Sequence, residues 1–140
     1  MRSFERKPTV VLADDHPRVL SRVGEILANE FDILAGVSDG IKVVQAALKY
    51  KPDILVLDIA MPGLDGIQAA REVRRLTVPA RLIFLTVQED PDYVRAAHDL
   101  GASYVLKHRM HLDLSHAIKE TLAGRMFVSP RSELTHPTAI

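Results

Sequence analysis

The chain has 140 residues, 47% of them hydrophobic and 26% charged, which is the length and make-up of one packed globular domain and leaves no room for a second. Its 18 Lys plus Arg balance 18 Asp plus Glu, so no global field draws it to nucleic acid or an anionic membrane, and any such partner would need a local patch. The absence of Cys removes disulfides, thiolate nucleophiles and Cys-type zinc sites, and fits a reducing compartment.

Charged residues in Met1 to Lys7 precede no signal-like apolar stretch. No apolar run approaches the ~18 residues a membrane span needs, so a cytoplasmic protein with no membrane partner is expected. Five compact apolar segments of strand length then come in order: Thr9 to Ala13, Ile33 to Val37, Asp53 to Leu57, Arg81 to Leu85 and Ser103 to Leu106. Most lack polar alternation, which predicts strands buried on both faces. Helical spacing fills the gaps, with Val19, Val23, Ile26 and Leu27 after the first strand and Val43, Val44, Ala47 and Leu48 after the second. A last helix stacks Met110, Leu114, Ile118 and Leu122.

Pro17 and Pro91 suit first helical turns, Asp90 suits an N-cap, and Gly101 and Gly124 stand where helices stop. Five βα units result. Such alternation specifies an α/β fold, a doubly wound parallel sheet with right-handed crossovers and helices on both faces. Residues 125–140 hold Pro130 and Pro137 without a sustained period and read as a linker or frayed end.

Sites in open α/β sheets lie beyond the carboxyl ends of the strands. There the first strand runs into Asp14 and Asp15, the third into Asp58, the fourth into Thr86 and the fifth into Lys107. Three carboxylates on one rim repel unless cations compensate them. Lys107 supplies one positive charge, and a divalent ion would supply two more; an all-oxygen site with room for water and phosphate suits Mg²⁺. Taken singly, each acid could be a turn former chosen for solubility. Five functional residues on matching strand ends argue against that reading.

These residues carry a resemblance. VVLADDHPRV, DILVLDIAMPGLDG, IFLT and GASYVLK are similar, in order and spacing, to the receiver domain of two-component response regulators, over residues 8 to about 125. DDHP and MPGLDG further resemble the branch with a C-terminal LuxR-type helix-turn-helix. The resemblance implies a flavodoxin-like (βα)₅ fold with strand order 2-1-3-4-5, a receiver domain at 8–124 and a linker-like tail at 125–140, the output domain being absent. It implies that Asp58 accepts a phosphoryl group, and that Asp14 and Asp15 bind Mg²⁺ together with the Asp58 carboxylate and the Ala60 backbone carbonyl. Lys107 would pair with one phosphoryl oxygen and the Thr86 hydroxyl with another. Tyr104 would be the switch aromatic whose ring moves inward as Thr86 moves, changing the surface around the fourth helix, fifth strand and fifth helix. Plain core packing is the alternative for Tyr104.

Implied partners are a sensor histidine kinase, recognised through residues from Arg18 to Asn29, and a second copy in a phosphorylation-dependent homodimer. DNA would be reached only through an output domain. Beyond promoting its own phosphorylation and dephosphorylation, the chain is not expected to be an enzyme. GRMFVSPRSEL, within residues 124–140, is similar to the linker of such regulators. The few residues after it fall short of the roughly 40 of an unstapled domain, so a receiver cut from a longer regulator is expected, with a natural single-domain regulator as the alternative.

Three positions depart from the commonest pattern. Val87 stands where Ala or Gly flanks the mouth of the site and is expected to narrow phosphoryl access. Ala60 offers no side chain to an attacking water, so dephosphorylation is expected to differ from that of members with a polar residue there. His108 replaces the Pro that often comes after the lysine, and a trans bond is expected because a cis bond before a non-proline costs ~3–4 kcal/mol. His108, His111 and His116 lack a carboxylate at ligand spacing and read as solvated surface, and His16 as a loop or helix-cap residue.

Two rival classes fail on motifs. A nucleotide or flavin module would need G-x-G-x-x-G after the first strand or a G-K-[ST] loop, and neither occurs. An aspartyl-phosphate hydrolase would carry D-x-D, whereas Ile59 and Ala60 come after Asp58. A receiver-like interaction module independent of phosphorylation remains compatible with Val87.

Overall fold

The computed structural model describes residues 6–130. Its elements are β1 (Thr9–Ala13), α1 (Pro17–Leu27), β2 (Asp32–Val37), α2 (Gly40–Tyr50), β3 (Ile54–Leu57), α3 (Gly66–Arg75), β4 (Arg81–Thr86), α4 (Pro91–Asp99), β5 (Ser103–Leu106) and α5 (Met110–Leu122), with a 3₁₀ turn at Lys107–Arg109. All strand pairs are parallel and the order is β2-β1-β3-β4-β5. This is the flavodoxin-like α/β fold with five helices.

Alternation along each strand divides the core in two. Val11, Leu55, Leu57, Leu82 and Phe84 face one side and pack with Val43 of α2, Val73 of α3 and Ala97 of α4. Val10, Leu12, Val56, Ile83 and Val105 face the other and meet Val23 and Leu27 of α1 and Leu114 and Ile118 of α5. β1, β3, β4 and β5 are buried on both faces. β2 departs from that expectation: it pairs only with β1, across a register shift at Val10 and Val11, and is half exposed. An edge strand has one neighbour, so its apolar run needs only partial cover.

The expected helix signals hold. Asp90 caps α4 by accepting from Asp92 N at 2.8 Å, Pro17 and Pro91 open their helices, and Gly101 comes after α4 at φ 70°. At the amino ends of β1 and β3, the Asp53 carboxylate accepts from Thr9 N at 2.8 Å and from Arg6 at 2.9 Å.

Residues 127–129, read from sequence as part of a linker or frayed end, instead lie parallel against the free edge of β5, where Val128 pairs with Tyr104. Tyr104 N donates to Phe127 O and Ser129 N to Tyr104 O, both at 2.8 Å. Three residues joined mainly through backbone atoms leave no hydrophobic period to read. Residues 131–140 of the expected tail lie outside the described residues.

Candidate functional site

Hydrogen bonds of the sheet ladder run just past the strand ends and fix the acids. Asp14 N donates to Val37 O and Asp58 N to Ala13 O, each at 3.0 Å, so both carboxylates leave the same rim and are buried. Between them Lys107 Nζ lies 2.8 Å from Asp14 Oδ2 and 2.9 Å from Asp58 Oδ2. Burial alone would lower the lysine pKa; its contacts with the Asp14 and Asp58 carboxylates outweigh it and hold the ammonium above its ordinary range.

The remaining carboxylate oxygens differ in their partners. Asp58 Oδ1 accepts from Ile59 N at 2.7 Å. Asp14 Oδ1 accepts from His16 N at 2.9 Å and lies 3.0 Å from His16 Nδ1. Asp14 Oδ2 is buried without a well-directed hydrogen bond, its contact with Lys107 being an ion pair. Asp15 is exposed, with His16 Nδ1 at 3.1 Å.

Ligand atoms of Asp14, Asp15, His16 and Asp58 all fall within 4.8 Å of one another. Three carboxylates less the Lys107 ammonium leave a formal charge of −2. A hard divalent cation fits this donor set: it matches that charge and gives the poorly satisfied Asp14 oxygen a partner. His16 is at the N-cap position of α1 as expected, yet its side chain makes no cap bond and turns to the acid pair, a role its sequence place beside Asp14 and Asp15 only hints at. Ala60 is exposed in the loop after β3.

MPGLDG has a structural reading here. Asp65 caps α3 through a reciprocal capping box with Gln68, at 2.8 and 3.0 Å. Gly66 N donates to Ile59 O at 2.7 Å, and a Cβ on Gly66 would collide with the Asp58 carbonyl. Only glycine lets α3 start this close to the strand end.

Thr86 ends β4 fully buried, and its Oγ1 accepts from Gln88 N at 3.2 Å, leaving its own O–H as a donor. Tyr104 is also buried, and its hydroxyl donates to Gln88 O at 2.8 Å. Burial, followed by nearby acidic groups including Asp58, raises the phenol pKa and keeps it a donor. The main chain of Gln88 therefore joins Thr86 to Tyr104, a role no sequence signal marks because it belongs to backbone atoms. The ring is buried in this structure.

Val87 is 66% exposed at the start of the β4–α4 loop, and the Lys107–His108 bond is trans. His108, His111 and His116 are exposed, and among the described residues none joins a group of potential metal ligands. His116 stacks edge-on against Phe127, with ring centroids 5.3 Å apart.

A family model described as the response regulator receiver domain matches residues 10–119. The transcriptional regulatory protein DegU of Brevibacillus brevis is 33% identical over 135 residues, 94% of this chain and 56% of its own length. The chain thus spans little more than half of that curated relative. A two-component response regulator of the LuxR family from Aurantimonas sp. SI85-9A1 superposes with a TM-score of 0.83 at 30% identity, covering 89% of this chain and 91% of that one. The isolated receiver of RcsB from Salmonella enterica serovar Typhimurium, solved with the phosphomimetic BeF₃⁻, gives 0.81 at 27% identity over 89% and 94%.

Proposed function

Because the chain belongs to the response regulator receiver family, we propose that it is a phosphorylation-dependent switch that accepts a phosphoryl group on Asp58 from a phosphohistidine of a sensor kinase. The observation that carries this reading is the buried Asp58 carboxylate sharing the Lys107 ammonium with Asp14 at the rim of the sheet. A carboxylate is a weak nucleophile toward phosphorus, so transfer depends on in-line positioning and on neutralising the transferring oxygens. An Asp58 oxygen attacks, the P–N bond to the histidine breaks, and the imidazole leaves. Lys107 is placed to follow the charge onto a phosphoryl oxygen.

Asp14, Asp15 and Asp58 would hold Mg²⁺, with the Ala60 carbonyl as a further ligand. When bound, the ion neutralises oxygens of the transferring group. The Thr86 O–H then donates to another phosphoryl oxygen. That movement draws on the Gln88 main chain, which both Thr86 and Tyr104 hold. The consequence reaches the surface formed by α4, β5 and α5; between α4, β5 and the segment at Val128, an apolar groove of about 340 Å³ is bordered by Pro91, Val94, His98, Tyr104 and Val128.

In the intact regulator that surface would control homodimerisation or a DNA-binding output domain. DegU is named a transcriptional regulator, which supports such an output. Among the described residues no helix is long and apolar enough to cross a membrane, in keeping with a cytoplasmic partner kinase. Incubation with acetyl phosphate and Mg²⁺ followed by intact mass measurement tests the reading: wild type gains one phosphoryl group and Asp58→Asn does not. Equal gain in both, or none in either, would overturn it.

A further inference from the structure

The motif GRMFVSPRSEL has no part in the chemistry above, yet residues 127–129 within it are tied to the fold by several hydrogen bonds. Phe127 N donates to Ser103 Oγ at 2.9 Å, and Ser103 Oγ lies 2.7 Å from Thr121 Oγ1 on α5. Ser129 is buried. Its Oγ accepts from Leu106 N at 3.1 Å and donates to Asp113 Oδ2 at 2.7 Å, while Arg109 holds the same Asp113 oxygen at 2.7 Å.

Along a parallel pair the next acceptor for Leu106 N would be a backbone carbonyl of the neighbouring strand. Here the Ser129 hydroxyl takes that place, and Pro130 comes next. Leu106 immediately precedes Lys107, and Asp113 sits on the first turn of α5. Ser129 therefore ties together both ends of the turn from which Lys107 reaches Asp58. Lys107 must span two carboxylates at 2.8 and 2.9 Å, so its effectiveness depends on where this turn holds its Cα.

We infer that Ser129 is a positioning residue for Lys107, so that the segment after the last helix belongs to the phosphorylation site as its outer support. The inference rests on the reading of Asp58 as phosphoryl acceptor and deepens it. Residues 127–129 also bond both the N–H and the C=O of Tyr104, so one strap steadies the phosphate-site cation and the switch aromatic together.

The test compares Ser129→Ala and Ser129→Thr with wild type. In Ser129→Ala the Leu106 amide exchanges about tenfold faster, because its acceptor is lost. The rate of phosphorylation by acetyl phosphate falls about 3- to 10-fold, while the Mg²⁺ concentration for half-maximal rate is unchanged. Ser129→Thr keeps the hydroxyl and restores the rate. General weakening of the fold would lower the melting temperature without slowing phosphorylation of the folded protein.

A folded Ser129→Ala phosphorylated at the wild-type rate would overturn the inference and leave Asp58 as acceptor. Wild type that takes no phosphoryl group would overturn the reading of Asp58 instead. The Lys107 ε-methylene resonance then decides the positioning: a shift between wild type and Ser129→Ala supports it, and superimposable signals overturn it.

Discussion

Lys107 Nζ sits 2.9 Å from Asp58 Oδ2 although 49 residues separate them in sequence, and the same ammonium lies 2.8 Å from Asp14. One cation is thus shared by two buried carboxylates, with Asp15 beside them. Lys107→Ala makes the formal charge of the cluster more negative, from −2 to −3. Phosphorylation by acetyl phosphate is expected to slow about 10²-fold, the usual loss when one stabilising donor to a developing charge is removed. Mg²⁺ should raise the melting temperature of the variant more than that of wild type, because the ion meets more uncompensated charge. Equal Mg²⁺ responses would show that Lys107 does not compensate the acids.

Tyr104→Phe keeps the buried ring and deletes one hydrogen bond, leaving Gln88 O without its donor. A loss of about 1 kcal/mol in urea unfolding is expected. Asp58 should still take a phosphoryl group, but amide exchange in the β4–α4 loop should respond less to it than in wild type. An unchanged loop response would remove Tyr104 from the switch and leave it as core packing.

Gly66→Ala and Gly24→Ala should act in opposite directions. At Gly66 a Cβ meets the Asp58 carbonyl, so strain of about 3 kcal/mol is expected, together with slower phosphorylation as Asp58 shifts. Gly24, inside α1, has nothing within 4 Å of an added Cβ, and alanine there should stabilise by about 0.5–1 kcal/mol. Denaturant midpoints for the two variants check both signs.

Asp53 sets a pH dependence away from the site. Hydrogen bonding from Arg6 is the largest influence and, with the bonds from Thr9, outweighs burial to hold the Asp53 carboxyl below the ordinary carboxylate range. A carboxyl with a depressed folded-state pKa contributes stability above its unfolded value and loses it as pH falls through the folded value. The loss therefore falls below about pH 4. Arg6 is largely exposed, so solvent screening keeps the contribution small. Asp53→Asn should lower the melting temperature at pH 7 and narrow its difference from wild type toward pH 2; parallel curves would contradict this.

The legible parts of the fold are those whose information sits in side chains. β1 and β5 match their expected bounds because each is a short apolar run opened by one hydroxyl residue, with helices on both faces. Asp14, Asp58 and Lys107 are legible together because parallel strands end on one rim. β2 reads as doubly buried and is not, since its apolar run does not reveal that only β1 lies beside it. The strap at 127–129 and the role of Gln88 are invisible in the sequence for another reason: both act chiefly through backbone groups, which every residue offers alike.

The most direct test of the acceptor is chemical. The domain is phosphorylated with acetyl phosphate and Mg²⁺, treated with borohydride, which reduces an aspartyl phosphate to homoserine, and mapped by peptide mass spectrometry. Homoserine at position 58, absent when acetyl phosphate is withheld, is the expected result. Homoserine at Asp14, Asp15 or elsewhere, or none in protein that has gained a phosphoryl group, would contradict the assignment of Asp58.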